Sequence, residues 1–434
     1  MPHEIRAYQE EGINFLVRSN SALLADEMGL GKTVQTIVAI RTVVANNSGA
    51  RVLVVVPEAL SRNWQEEFAV WAPQLSVRMV QGNQKNREAS YLLPFPVLIA
   101  TYDQVRIDSH LLDYAEKFEV VVLDEAQRIK SPSSSTSIAC STLPRRRSWA
   151  LSGTPLENVT EDIVSIFSFV KPGILLPEMS SDEMQNLMAP YFLRRIKKDV
   201  IPELPPIIEQ EVHLTLTGKQ WVSYHEIWEA RGTPTWQREK HESAHLLELI
   251  VKLKKVCNFD FKSGESVKLD ALKTVIENTF ASNSKLIVFS QFVETLKWLS
   301  QQLGDYSHDL YTGAMDAKVR HESIKRFRES VDSHILLISL KAGGVGLNLK
   351  EADTVVMFDR WWNPSVENQA VHRAHRFGRI HPLHVIKYLV RNSIEERIDE
   401  VLKSKRQLFK EYIDSAATKV STKESLKTLQ QILS

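Results

Sequence analysis

Asp26 to Thr33 read DEMGLGKT, and the residue types in that run suit a phosphate group. Gly29 and Gly31 let the backbone come close to an anion, so that successive N–H groups can point at it. Lys32 is placed to reach the β- and γ-phosphates of a nucleotide, and the Thr33 hydroxyl to hold Mg²⁺. Asp26 stands where the general phosphate-loop pattern has its first glycine, so the run by itself also fits an unrelated Gly-Lys-Thr turn. Asp124-Glu125 is the second chemical pair. Adjacent carboxylates at the end of an apolar run are costly unless something positive holds them. A nucleotide-bound Mg²⁺ would do so: Asp124 would hold the metal through its water shell, and Glu125 would polarise an attacking water. A pair that merely caps the next helix is the ordinary alternative.

Four further segments carry chemistry-bearing types. Gln369 to Arg379 read QAVHRAHRFGR, where the spacing predicts that Arg373 and Arg376 share a helix face. Planar, permanently charged guanidinium groups suit a γ-phosphate whose charge shifts during transfer, although such a face is more often solvated or salt-bridged. His372 and His375 have the same spacing, but with no cysteine nearby and no carboxylate beyond Glu367 they make a poor metal set. Leu340 to Asn348, LKAGGVGLN, is a second glycine-rich turn whose Gly343, Gly344 and Gly346 would admit a phosphate of ATP or of a nucleic acid backbone. Ser152-Gly153-Thr154-Pro155 is a tight turn near the carboxylate pair. Asp359 to Pro364, DRWWNP, puts one tryptophan in a core or lobe interface and leaves another to contact a nucleic acid.

The elements that must position these residues are legible as short β-branched runs with helical patterns between them. Ala22 to Ala25, Val52 to Val56, Val97 to Ala100, Val120 to Leu123 and Ser148 to Leu151 predict buried parallel strands of one lobe. Leu286 to Phe289, Ile335 to Ile338, Thr354 to Phe358 and Val385 to Leu389 predict a second lobe. In doubly wound α/β lobes ligands collect at the carboxyl ends of the strands, and the chemical segments above follow strands. From Glu161 to Cys257 the pattern is mainly helical, with Leu246, Leu249, Ile250, Leu253 and Val256 on one apolar face. A last helix with Leu426, Leu429 and Ile432 is expected after a polar stretch from Ser415 to Thr422.

Length and composition bound the class. A chain of 434 residues exceeds one ordinary core and suggests two or three domains. It is 43% hydrophobic and 25% charged, with 54 basic and 53 acidic side chains, so net charge neither demands nor forbids a nucleic acid. Cys140 and Cys257 are the only cysteines, which excludes a disulfide framework or a cysteine zinc site and suits a reducing compartment. Apolar runs are strand-length, so no membrane span is expected, and no signal-peptide core opens the chain. A soluble intracellular protein is expected, in the cytoplasm or nucleoid of a prokaryote or the nucleus of a eukaryote.

In this order the segments resemble the SWI/SNF-type DNA translocases, a branch of superfamily-two helicase-like ATPases, from about Ile5 to Ile398. Arg6-Ala7-Tyr8-Gln9 is similar to the family's N-terminal glutamine motif, and DEMGLGKT is its own form of the phosphate loop, Asp26 included. Val56 to Leu60 with Trp64, Ala100-Thr101-Tyr102, Leu151 to Pro155, Phe192 to Val200 (FLRRIKKDV) and Ile287 to Phe292 resemble successive family blocks. The resemblance implies an α/β fold of two RecA-like doubly wound lobes with helical protrusions between them. The expected boundaries are 1–172, 173–262, 263–415 and a tail 416–434. It implies an ATP- and Mg²⁺-dependent motor with ATP bound between the lobes, Gln9 reading the adenine, and Asp26, Glu27, Met28, Gly29, Leu30, Gly31, Lys32 and Thr33 around the phosphates. Gln127, Gly344 and Gly346 would complete the nucleotide site, Thr33 and Asp124 would hold the metal, and Lys32, Asp124, Glu125, Arg373 and Arg376 would carry hydrolysis. Double-stranded DNA is the implied partner, met mainly at its phosphates by Arg62, Asn63, Thr101, Tyr102, Gln291, Lys341 and Trp362. Arg145-Arg146-Arg147, Arg194-Arg195 and Lys197-Lys198 add local positive charge. DNA-bound proteins would be displaced, with targeting left to a partner subunit or to further parts of a longer chain. A strand-separating DNA or RNA helicase and a non-hydrolysing scaffold are the alternatives. Two residues depart from the pattern: Gln127 makes DEAQ of the usual DEAH, and Arg379 stands where the arginine motif ends in glutamine.

Overall fold

The computed structural model describes residues 4–112, 117–153, 159–230, 243–343, 347–361, 364–401 and 403. They form two compact units that divide at Pro202 and Glu203. The first holds a sheet of β1 (Ser21–Leu24), β2 (Val52–Val56), β3 (Val77–Met79), β4 (Val97–Thr101), β5 (Phe118–Leu123), β6 (Arg145–Leu151) and β7 (Phe192–Leu193). The strand order is β3-β4-β2-β5-β6-β1-β7, and every pair is parallel. Residues of both parities are buried along β2 and β5, which is why these strands read as unbroken apolar runs. Leu53, Val55, Leu98, Ala100, Val121 and Leu123 form one face and pack with Ile166 and Phe167 from the helix Val159–Val170.

The second unit holds β8 (Ile207–Leu214), β9 (Leu286–Ser290), β10 (His308–Tyr311), β11 (Ile335–Ser339), β12 (Thr354–Met357) and β13 (Leu383–Val390). Their order is β10-β11-β9-β12-β13-β8, again all parallel. Alternate residues face opposite cores. Ile287, Phe289, Leu336 and Ile338 pack with Ala370 and Val371, whereas Leu286, Val288, Ile335 and Leu337 pack with Leu272, Ile276 and Leu296.

The predicted central strands are present within three residues of their ends, the largest difference being β6, which starts at Arg145 rather than Ser148. The edge strands β3, β7, β8 and β10 were not predicted, because they are short or half-exposed and lack a continuous apolar run. Two of them fall in the interval expected to be helical, where Phe192–Leu193 joins the first sheet and Ile207–Leu214 the second. The helix Ser243–Asn258 buries its predicted apolar face, Leu246, Leu249, Ile250, Leu253 and Val256, against Leu216, Tyr224, Ile394 and Ile398 of the second unit. The expected tail helix lies outside the described residues. No helix among the described residues is long and apolar enough to cross a membrane.

Parallel pairing puts the carboxyl ends of all strands of a sheet on one edge. In the first unit β6 lies between β1 and β5, so the turns that carry DEMGLGKT, Ser152-Gly153 and Asp124-Glu125 are neighbours.

Candidate active site

The phosphate loop runs from the end of β1 to the helix Lys32–Asn46, and its two glycines take left-handed φ angles, 87° at Gly29 and 76° at Gly31. Gly31 is the N-cap, and its left-handed φ favours glycine; a Cβ there would stand 2.6 Å from the Gln9 side-chain nitrogen and displace that amide. Lys32 Nζ donates to the Asp26 carbonyl at 2.7 Å and reaches the Glu27 carbonyl at 3.5 Å, which holds the ammonium over its own loop. Gln9 lies against the same loop: its Oε1 accepts from Arg6 N at 3.1 Å and its Nε2 donates to the Leu30 carbonyl at 3.4 Å. The Asp26 carboxylate, expected at the nucleotide, is fully buried and spent elsewhere. It accepts from Arg195 Nε at 2.9 Å, Arg195 Nη2 at 2.6 Å and Gln35 Nε2 at 3.1 Å, so it braces the loop from behind.

At the end of β5 the Asp124 carboxylate is buried. Trp64 Nε1 donates to its Oδ2 at 2.7 Å, and the Glu125 backbone N–H donates to its Oδ1 at 2.9 Å. Burial, and after it the adjacent Glu125 charge, push Asp124 up to about 7, against the pull of Trp64 and Lys32. Glu125 itself holds a left-handed backbone, φ 53° and ψ 55°, an uncommon conformation for this residue type of the sort that clusters at functional sites. Its Oε2 accepts from Gln127 Nε2 at 2.6 Å, and Gln127 Oε1 in turn accepts from Ser152 Oγ at 3.2 Å. The residue that departs from DEAH therefore bridges the carboxylate to the end of β6.

These residues fit Mg²⁺ and a triphosphate. Each Asp124 oxygen receives one N–H and keeps acceptor capacity, and the raised affinity for a proton is what a nearby divalent cation would relieve. At Gly153 a Cβ would lie 2.9 Å from Lys32 Nζ, so the open space beside the lysine depends on that glycine.

In the second unit the arginine motif differs from its predicted form. The helix Pro364–Ala374 ends before Arg376, so Arg373 lies on its last turn and Arg376 beyond it rather than on one face. Beyond the helix end Gly378 takes φ 90°, and Arg379 Nη1 donates to the carbonyls of Lys350 at 3.0 Å, Ala352 at 2.5 Å and Ala374 at 3.3 Å. His375 bonds the Pro205 carbonyl at 2.7 Å, and its ring centroid is 6.1 Å from that of His372. At the end of β12, buried Asp359 accepts from Gln291 N at 3.0 Å and Asn258 Nδ2 at 3.0 Å. Arg360 bonds Glu367 at 3.1 Å and so ties this turn to the arginine helix. Gly344, Gly346 and Trp362, and Thr154 and Pro155 of the first unit, lie outside the described residues, as does the side chain of Lys341.

Comparison with known proteins decides the family. The SNF2-related domain matches residues 8–262, and the helicase conserved C-terminal domain matches residues 267–378. The chain belongs to the SNF2-related family. Its enzyme class is accordingly that of an ATP-hydrolysing, helicase-like core. Its SNF2-related kin include an uncharacterized ATP-dependent helicase of Mycoplasma pneumoniae, 34% identical over 93% of this chain and 42% of that protein. A putative ATP-dependent helicase/translocase of Bacillus subtilis is 32% identical over 97% of this chain and 50% of that protein. The ATPase of the ISWI chromatin-remodeling complex of Saccharomyces cerevisiae is 29% identical over 93% of this chain and 40% of that protein. This chain thus spans about two fifths to a half of these relatives' length. The Sulfolobus solfataricus SWI2/SNF2 ATPase core in complex with dsDNA is 29% identical, with 99% of this chain and 97% of that chain covered and a TM-score of 0.47.

Several residues expected at DNA in this SNF2-related chain have other duties. Tyr102 is buried, and its hydroxyl donates to the Asp124 carbonyl at 2.7 Å, so it supports the carboxylate turn from below. Thr101 Oγ1 accepts from Gln104 N at 3.2 Å and caps the helix Tyr102–Ile107. Gln291 Nε2 donates to the Arg360 carbonyl at 3.1 Å. Arg62 is exposed and Asn63 half-buried on the first turn of the helix Ser61–Trp71. Of the basic runs, Arg145 bonds the carbonyls of Ser141 and Leu143, Arg147 bonds Glu119, Lys197 is buried and Arg195 serves Asp26. These charges are internal ties. Trp64, Gln35 and Arg195 were not expected as parts of the site. One signal pointed to the last: an aspartate in a glycine's place, if buried, needs a cation.

Proposed function

We propose that this chain is a DNA-stimulated ATPase that moves along double-stranded DNA without separating its strands, and in doing so displaces or remodels proteins bound there. The observation that carries the reading is the convergence, on one sheet edge, of Lys32, the Asp124-Glu125 pair and the Gln127–Ser152 bridge. In this reading Lys32 leaves its loop carbonyls for the β- and γ-phosphates, while the N–H groups at the start of the helix Lys32–Asn46 face the same anion. Mg²⁺ held by Thr33 and Asp124 would neutralise phosphate charge as it develops. Glu125, fixed by Gln127, takes a proton from the attacking water, and Ser152 at the far end of the bridge reports the state of the carboxylate to the end of β6. Arg373 and Arg376 are assigned to the charge that builds on the γ-phosphate. Supporting the DNA partner are the names of the relatives, a helicase/translocase and a chromatin-remodeling ATPase among them. Arg62, Asn63, Gln291, Lys341 and Trp362 remain the proposed contacts, with Gly344 and Gly346 at the nucleotide.

ATP turnover measured with no nucleic acid, duplex DNA, single-stranded DNA and RNA tests this. Duplex DNA is expected to stimulate most, and the stimulation to fade as salt rises, because phosphate contacts release counterions. Lys32→Ala and Glu125→Gln should abolish turnover. Equal rates in all four conditions would refute the motor, and efficient strand displacement would transfer the chain to the helicases.

A further inference from the structure

The helix that carries Gln9, Ala7–Arg18, and the phosphate loop are joined by one side chain from far along the sequence. Arg195 is 9% exposed, and its guanidinium splits its bonds between the two. On one side it grips both oxygens of buried Asp26, at 2.9 and 2.6 Å, and the Gln35 Oε1 at 2.9 Å. On the other, Nη1 donates to the Tyr8 carbonyl, the residue before Gln9, and pairs with Glu11 at 3.2 Å. Gln35 spreads the grip by donating to Asp26 Oδ2 and to the Leu30 carbonyl, both at 3.1 Å. The Leu30 carbonyl is the one that Gln9 also reaches.

The backbone around Arg195 is laid along the loop as well. Ala25 N donates to the Leu193 carbonyl at 2.7 Å, Glu27 N to the Arg195 carbonyl at 2.9 Å, and Lys197 N to the Glu27 carboxylate at 2.7 Å. Space has been left for the device. At Gly12 a Cβ would fall 1.8 Å from Gln35 Oε1 and 2.7 Å from Arg195 Nη2, so a helix interior here accepts glycine despite its poor propensity. The bidentate fork of arginine meets the two Asp26 oxygens while still reaching the Tyr8 carbonyl, which the point charge of a lysine cannot do.

We propose that Arg195 is a positioning residue that makes the Gln9 turn and the phosphate loop one piece, so that recognition of the adenine base tightens the seat of the triphosphate. Asp26 transmits this, since its carbonyl holds Lys32 and its carboxylate is held by Arg195. The inference rests on the reading of Gln9 as the adenine contact. Loss of Arg195 then weakens ATP more than it weakens a triphosphate whose base Gln9 does not read.

The test is a double-variant cycle on the full chain, with equilibrium dissociation constants for ATP and GTP in Mg²⁺ and thermal melting alongside. Gln9→Ala is expected to cut the preference for ATP over GTP by about tenfold, roughly one base-reading hydrogen-bond pair. Arg195→Lys, which keeps a cation beside Asp26, and Gly12→Ala, which keeps every charge, should each cut the preference by at least about threefold. Either change added to Gln9→Ala should cut it no further. Equal weakening of ATP and GTP by both variants, or effects that simply multiply with that of Gln9→Ala, would overturn the coupling and leave Arg195 a stabilising residue. An unchanged preference in Gln9→Ala would overturn the adenine reading, and the coupling with it.

Discussion

Trp64→Phe isolates one hydrogen bond at the carboxylate turn. The indole N–H lies 2.7 Å from Asp124 Oδ2, Trp64 is fully buried, and phenylalanine keeps an aromatic ring in the same packing. A hydrogen bond to a charged group contributes about 1.5–3 kcal/mol. Here it is made to the ionised carboxylate, which burial and Glu125 already hold up to about 7. The direction follows: without the donor Asp124 keeps its proton to still higher pH. At about 1.4 kcal/mol per unit, the lost bond corresponds to a shift of about one to two pH units. If turnover needs Asp124 ionised, rate rises as pH passes through this group, and the acid limb of the pH–rate profile of kcat/KM moves up by that amount. The assay is DNA-stimulated ATP turnover from about pH 5.5 to 9, with folding checked by melting, since the acid limb is read in that window. An acid limb in the same place, in a folded variant, would refute the assignment of Trp64 and of Asp124 as the titrating group.

Other outcomes follow from the same geometry. Gln127→His retains one donor and one acceptor while neutral but only donors when protonated. Its stimulated turnover relative to the parent should therefore fall below about pH 6.5, and a flat ratio would exclude the bridge to Ser152 as the link. Arg379→Gln, the residue usual in the family, should destabilise this chain by about 2–4 kcal/mol in denaturant unfolding. Arg379 donates to the carbonyls of His381, Lys350, Ala374 and Pro382, and glutamine can serve at most two of them. A change under about 0.5 kcal/mol would show those carbonyls to be satisfied otherwise. Leu253→Ala, at a fully buried position of the second unit's helical cluster, should cost about 2–5 kcal/mol with little effect on ATP affinity.

What was legible in the sequence was what is local. Val52 to Val56 and Leu286 to Phe289 announce themselves because a strand buried on both faces must be apolar at every position. The phosphate loop announces itself because glycine, lysine and threonine do their work within one turn. The inward bonds of Tyr102 and Arg195 were not legible, because nothing in a linear pattern tells an inward side chain from an outward one at a strand end. Both are settled by partners far away, Asp124 for one and Asp26 for the other. The arginine helix ends short of its predicted length, and past its end Arg379, at a position where the family has glutamine, bonds the Ala374 carbonyl. In each case the bond is to a carbonyl or carboxylate that periodicity does not register.

Pairing β7 with β1 also has a consequence for synthesis. Asp26 and Arg195 are 169 positions apart, so a ribosome makes the phosphate loop early and its brace much later. Until the segment that ends near Lys197 has emerged, β1 has an open edge and Asp26 a carboxylate without its cation. The nascent loop should thus be the last part of its unit to acquire affinity for nucleotide, and a fragment stopped at residue 172 would carry every residue of DEMGLGKT without the strand that sets its shape.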